Sequence, residues 1–281
     1  MASKSSVRSL RHALNGVFSV YKPTGYTSRD AVNMVQDSLS EQLRLRMDFT
    51  KKLKNRDKIK IGHGGTLDPL AEGVLILGVG DGCKKLHDFL HCTKEYLVLA
   101  KFGQATDSYD SEGTITHSGS TSHISRQSLL SILPQFKGEI TQVPPIYSAI
   151  SIQGKRAYDY ARQGIALPRP IEPRQVQILA LDLVEFHHPY AVYRVECGGG
   201  TYMRSLVHDI GLALGSYSHM TGLKRTRQGT MTIQDALELT MVDDNSNDSD
   251  ASSSSSINST SNSSGTKMKH IDLDKVIKLL H

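Results

Sequence analysis

Apolar positions along this chain switch between a period of about two and a period of about 3.6, and the switches mark its elements. Gly16 to Tyr21 reads as a strand ending at Lys22-Pro23, after which Thr27 or Ser28 can cap a helix carrying Val32, Val35 and Leu39. Val74 to Val79 is a continuous apolar run of buried-strand type, a helix is predicted around Lys84 to Leu90, and Glu95 to Phe102 alternates through Tyr96, Val98 and Ala100 as a strand. Gln104 to Gly113 (QATDSYDSEG) is polar and predicts a loop. Ser125 to Phe136 predicts a helix capped by Ser125, whereas the paired prolines within Gln142 to Ile150 predict extended chain. Val176 to Phe186 and Tyr190 to Cys197 read as strands joined by a turn at His187-His188-Pro189. A triple glycine precedes a helix from Thr201 to Leu214, Leu223 to Met231 is basic and extended, and Lys275 to Leu280 is a short apolar helix expected to dock back on the core. Strands and helices alternate irregularly and the paired strands have short turns. That pattern predicts an α+β fold with a mixed, largely antiparallel sheet and flanking helices, not a doubly wound one.

The stretch Gly62 to Leu75 (GHGGTLDPLAEGVL) interrupts this pattern. Gly62, Gly64 and Gly65 suit a backbone that needs positive φ or close approach by a ligand. Pro69 stiffens the chain beside Asp68, which has no other acid near it from Gly62 to Ala71. Taken alone, such a segment is more simply a tight turn with Asp68 as a turn former. The rest of the chain changes that reading.

With 281 residues, 38% of them hydrophobic, the chain can bury a sizeable core as one large domain or two smaller ones. No window approaches the roughly 18 consecutive apolar residues of a membrane span. Cys83, Cys92 and Cys197 are scattered and odd in number, which argues against a disulfide framework and for a reducing compartment, nucleus or cytoplasm. Residues 1–15 carry Lys4, Arg8 and Arg11 without an acid, as in a short mitochondrial transit peptide or a disordered basic arm. Net charge is +5, but Arg44 to Lys60 holds eight basic residues against Asp48 and Asp57, so the remainder is close to neutral. A solvated loop is the usual meaning of such a run; here it leads straight into the glycine-rich stretch, where bound phosphates would lie near Asp68. From Asp243 to Gly265 the composition turns to Ser, Asn and Asp and predicts disorder. These shifts divide the chain into an arm (1–15), a folded domain (16–242) with a basic insertion (44–60), a Ser/Asn-rich segment (243–266) and a terminal helix (267–281).

Nucleotide hydrolysis and hydride transfer are disfavoured: there is no P-loop, and Gly78-Val-Gly80-Asp-Gly82 lacks the last glycine of a dinucleotide fingerprint. Cys83, His87 and His91 fall at helical spacing, but no zinc-type pair nearby completes a set, so no metal is expected. Arg204 falls in the first turn of a helix, where it can pair with Asp68, with an RNA phosphate, or with His208 on the surface. Tyr96, Tyr147, Tyr158 and Tyr202 recur beside basic residues, notably Lys155-Arg156 and Arg162, the combination that stacks unpaired bases and holds their backbone.

These residues closely resemble the TruB family of tRNA pseudouridine synthases, from Gly16 to about Ile233. Lys22-Pro23-Thr24-Gly25-Tyr26-Thr27-Ser28 matches the family's K-P-x-G-x-T-S, and Gly62 to Leu75 matches its catalytic motif. Lys94-Glu95-Tyr96, Val143 to Ala149, Cys197 to Leu206 and Leu223 to Thr226 match further motifs. The basic insertion and the Cys197-Gly-Gly-Gly form look like eukaryotic members, and no separate RNA-binding domain is expected after the core. The resemblance implies the pseudouridine synthase fold and isomerisation of uridine in the TΨC loop of tRNA, at position 55 by tRNA numbering, without a cofactor or metal. It implies Asp68 as nucleophile or base, Arg204 as the partner that keeps Asp68 ionised and oriented, and Tyr96 as a stacking platform. His63, Gly64, Lys22, Tyr147, Tyr202 and Arg225, with Lys51, Lys52 and Lys155 from the basic segments, are the expected substrate-binding residues. The expected partner is tRNA, or another RNA such as mRNA with a similar loop, bound by a monomer. The rival is a non-catalytic tRNA-binding or tRNA-folding protein on the same fold, which would tolerate loss of Asp68.

Overall fold

Ten strands form one mixed sheet in the computed structural model, which describes residues 14–46, 58–239, 241–242, 267–268 and 273–280. They are β1 (Gly16–Lys22), β2 (Ile61–His63), β3 (Ala71–Val79), β4 (Lys94–Phe102), β5 (Gly138–Gln142), β6 (Arg174–His187), β7 (Tyr190–Cys197), β8 (Ser218–Gln228), β9 (Met231–Thr232) and β10 (Leu237–Glu238). From one edge to the other the order is β10, β1, β3, β8, β4, β7, β6, β5, with β2 paired to β3 and β9 to β8. Only the β10–β1 and β8–β3 pairs are parallel. The α+β fold with a largely antiparallel sheet is therefore the one that forms. The helices are α1 (Ser28–Arg46), α2 (Leu86–His91), α3 (Arg126–Ile132), α4 (Ala157–Arg162), α5 (Met203–Ala213) and α6 (Leu273–Leu280).

Alternation along the strands divides the core between two faces. Phe18, Val20, Leu75, Leu77, Val98 and Ala100 pack with Val32, Val35 and Leu39 of α1 and Leu206, Val207 and Ile210 of α5. Val74 and Ile76, pointing the other way, pack under Leu86 and Phe89 of α2. Burying each such side chain contributes about 1.5–3 kcal/mol, and it is this pattern that sets the register of β1 on β3. α6 docks against β1 with Val276 fully buried, as expected. No helix among the described residues is long and apolar enough to cross a membrane.

Several boundaries differ from the sequence expectation. The helix expected around Lys84 to Leu90 is a 3-10 turn, Gly80–Lys85, followed by the short α2. The helix after Ser125 stops at Ile132 and tightens into a 3-10 turn holding Pro134, which has no N–H for the α-helical ladder. Ser125 caps it through a reciprocal bond with Ser128. β8 begins at Ser218, five residues earlier than expected, because Ser218 to Met220 continue the pairing with β4. Cys83 lies in the 3-10 turn and not on the helix of His87 and His91. Among the described residues no three metal-ligating side chains cluster. Residues 1–13 of the N-terminal arm, Lys51 and Lys52, and the whole Ser/Asn-rich segment lie outside the described residues, whereas Leu14 at the end of the arm is buried in the core.

Candidate active site

The glycine-rich stretch crosses from β2 to β3 and is tied down along its whole length. Thr27 caps α1 reciprocally with Asp30 (Asp30 N–H to Thr27 Oγ1, 3.1 Å; Thr27 N–H to Asp30 Oδ2, 2.9 Å), which frees Ser28 for another task. Ser28 Oγ accepts from the Leu67 amide at 2.8 Å and donates to the Leu67 carbonyl at 2.9 Å. From β1, Lys22 Nζ donates to the carbonyls of Tyr26 (2.6 Å), Pro23 (2.8 Å) and Pro69 (3.5 Å). From β8, Arg225 donates to Val74 O (2.7 Å), Gly65 O (3.2 Å) and Thr66 O (3.5 Å), and Gln228 to Gly64 O (2.7 Å). Gly73, at φ +108, lets β3 lie this close to β8, since a Cβ there would overlap the Arg225 backbone.

On this loop Asp68 meets Arg204. Arg204 Nε lies 2.9 Å from Asp68 Oδ2 and 3.7 Å from Asp110 Oδ2. Its Nη1 and Nη2 donate to Ser108 O (3.1 Å) and Tyr147 O (2.9 Å), so all three guanidinium nitrogens are held. The Arg204 side chain is 5% exposed, while 31% of the Asp68 side chain stays open. Burial pushes the Asp68 carboxyl above its ordinary value; Arg204 pulls it down, Asp110 pushes it up, and Lys22 opposes both burial and Asp110. Arg204 thus orients Asp68, but burial outweighs it, which leaves the carboxylate more basic than a solvated aspartate. Burial also lowers Lys22, to about 8.

Tyr96 pairs with Arg225 across β4 and β8 and is almost wholly buried, and burial raises its phenol so that it stays neutral. His63, at the end of β2, is likewise kept neutral by burial and by the nearby charges of Arg29 and Arg225. Tyr202 precedes α5, exchanges hydrogen bonds with the Gln142 amide group (2.8 and 3.0 Å), and carries the Arg174 guanidinium over its ring at 5.5 Å. Tyr147 reaches the cluster through its carbonyl. Lys155 sits on a separate small hairpin, its Nζ 4.5 Å from the ring centroid of Tyr160 on α4, and Arg162 lies over Tyr158.

Three residues expected to bind substrate are bonded within the protein. Lys22 and Arg225 are fully buried and commit their donors to loop carbonyls. Gly64 bonds Ile76 O with its amide and Gln228 with its carbonyl, and packs on Phe89. Their motifs mark what the loop needs for its shape, and a motif does not distinguish holding the loop from touching the substrate. Conversely, the polar segment read as a loop supplies a buried carboxylate, Asp110 (4% exposed), and the Ser108 carbonyl. No periodicity marks such a residue. Gln228, Gln142 and Ser28 were missed as supports for the same reason.

A partly open carboxylate held by arginine suits nucleophilic or general-base chemistry. The fold, with the relatives that share it, defines a pseudouridine synthase. A profile described as "TruB family pseudouridylate synthase (N terminal domain)" matches residues 51–203, and one described as "tRNA pseudouridylate synthase B C-terminal domain" matches 204–278. The mouse protein "Pseudouridylate synthase TRUB1" is 39% identical over 233 residues, covering 83% of this chain and 68% of that one. "tRNA pseudouridine synthase B" of Parabacteroides distasonis is 40% identical over 223 residues, covering 79% and 89%. The chain belongs to the TruB family of pseudouridylate synthases. Among solved structures, "Crystal Structure of a Cbf5-Nop10-Gar1 Complex" superposes with TM-score 0.56 at 28% identity, over 80% of this chain and 52% of that chain. "Structure of H/ACA RNP bound to a substrate RNA containing 2'-deoxyuridine" gives 0.55 at 25%, over 81% and 52%; this chain spans about half of either.

Proposed function

We propose that this chain converts uridine to pseudouridine in the TΨC loop of tRNA, at position 55 by tRNA numbering. The observation that carries the reading is the Asp68–Arg204 contact of 2.9 Å at a carboxylate still open to a ligand. In the reaction the N1–C1′ bond breaks, the uracil turns, a C5–C1′ bond forms, and the C5 proton is exchanged for one on N1. Product and substrate are isomers, so no co-reactant is consumed. The uridine must leave its stack to reach Asp68, and Tyr96, 8% exposed, can offer a freed base only the part of its ring that reaches the surface. Asp68 supplies the anion that attacks the nucleoside or removes its proton, and its raised basicity favours either role. Arg204 and Asp110 reach Asp68 within one chain, so this cluster needs no residue from a second copy and a monomer can act. The names of the relatives, two kinds of pseudouridine synthase, one of them for tRNA, support the choice of substrate. An mRNA with a similar loop would present the same base.

Asp68→Asn is the test, because asparagine takes turn conformations as readily as aspartate but has neither the charge nor the proton affinity. Single-turnover conversion of a TΨC stem-loop should be abolished while RNA binding and folding persist. Wild-type conversion by Asp68→Asn would leave only the RNA-binding reading.

A further inference from the structure

Residues 107–114 deliver Ser108 and Asp110 to Arg204; beyond the hydrogen bonds that Asp110 makes with Thr106, Ser108 and Glu112, two contacts with distant parts of the chain hold them there. One is backbone pairing to β8: the Met220 amide donates to Tyr109 O at 3.0 Å and the Ser111 amide to Met220 O at 2.9 Å. The other is a ring stack. Tyr109 lies flat on His208, with centroids 3.9 Å apart and planes 11° from parallel. His208 is one turn after Arg204 on α5, so the two side chains meet the same loop from one helix face.

Tyr109 has φ +63, a left-handed conformation that is uncommon and unfavourable for a bulky L residue. The turn it makes lies between the two residues that face Arg204, Ser108 through its carbonyl and Asp110 through its carboxylate. A strained residue persists only where its surroundings over-determine it. His208 supplies part of those surroundings. Its Nδ1 is buried without a hydrogen-bond partner, so the ring contributes its flat surface and not a polar contact through that nitrogen.

We propose that the Tyr109–His208 stack is a clamp that sets where Asp110 and the Ser108 carbonyl stand against Arg204, and through Arg204 where Asp68 points. His208 and Tyr109 are positioning residues, not catalytic ones. The inference rests on the pseudouridine-forming reading of the site.

The test uses the full chain with three variants: His208→Ala, which removes one face of the stack; His208→Phe, which keeps a flat ring; and Tyr109→Gly, which keeps the backbone conformation without the ring. On a TΨC stem-loop, His208→Ala and Tyr109→Gly should lower the single-turnover rate about 10- to 100-fold, as a small misplacement of a reacting group does. RNA affinity should stay at the wild-type value, and His208→Phe should recover most of the rate. A wild-type rate for His208→Ala, or an equal loss in His208→Phe, would overturn the clamp. Should His208→Ala fail to fold, Tyr109→Gly against wild type decides by the same rate criterion. A crystal structure of whichever of the two folds adds a readout independent of substrate: Asp110 should be displaced from Arg204, and an unmoved Asp110 also overturns the proposal. If the wild-type protein converts no uridine, the proposed reaction fails on its own while the position of Asp110 still judges the clamp.

Discussion

Replacing Arg204 with glutamine removes the positive charge and the forked donors from the centre of the site. Arg204 bonds Asp68 at 2.9 Å and the carbonyls of Ser108 and Tyr147 at 3.1 and 2.9 Å, with Asp110 3.7 Å from its Nε. Asp68 is partly open and water can reach it, but Asp110 is buried and would lose the guanidinium beside it. Breaking a buried pair in this way costs about 3–5 kcal/mol, a large share of a domain's stability, so folding must be verified alongside activity. Arg204→Lys keeps the charge and should lose less. For catalysis, loss of one preorganised donor at a reacting anion lowers rates about 10²–10³-fold. The pH dependence carries a sign. Arg204 is the strongest group lowering the Asp68 carboxyl, and without it burial and Asp110 meet less opposition, from Lys22. Asp68 then titrates higher still, and the acid limb of the single-turnover rate should move to higher pH in Arg204→Gln, and less in Arg204→Lys. Rates on a TΨC stem-loop across mildly acid to neutral pH check this. A folded Arg204→Gln protein with the wild-type rate and an unmoved acid limb would refute the idea that Arg204 positions Asp68.

Asp209, on α5, is raised by burial from 3.8 to about 6, so the fold prefers it protonated; its contribution is complete below pH 3.8 and is lost as pH rises through about 6. Asp209→Asn should therefore raise stability near neutral pH by about 1–2 kcal/mol, after a discount for its partial exposure, and leave it little changed in acid, as urea denaturation at the two pH values will show. Neutralising Lys51, Lys52, Lys54 and Arg56 together should weaken tRNA binding and flatten its salt dependence, with turnover at saturating RNA preserved. An unaltered salt slope would make that run a solvated insertion only.

Much of the fold was legible because apolar spacing reports which face of an element is buried. β1, β4, β6 and β7 fall where the alternation places them, since one residue of slip would carry a whole row of core side chains into water. Element ends were less legible. Thr27 and Ser28 were equal candidates to cap α1, and the choice went to Thr27 because Ser28 is taken by Leu67, far away in sequence.

By itself the sequence determined the loop that carries Asp68, the sheet beside it, and the helix that carries Arg204, because local glycine and proline chemistry and apolar periodicity are written in consecutive residues. Only the tertiary structure decided which charges meet. Asp110 and Arg204 are 94 positions apart, and nothing local to a Ser/Asp-rich loop distinguishes a solvated carboxylate from one buried 3.7 Å from a guanidinium. The same holds for Lys22 and Arg225, whose charges suggest phosphate until their burial shows them bonded to the loop's own carbonyls. Charge type is a property of the residue; its partner and its exposure, which set its energy, belong to the packed chain.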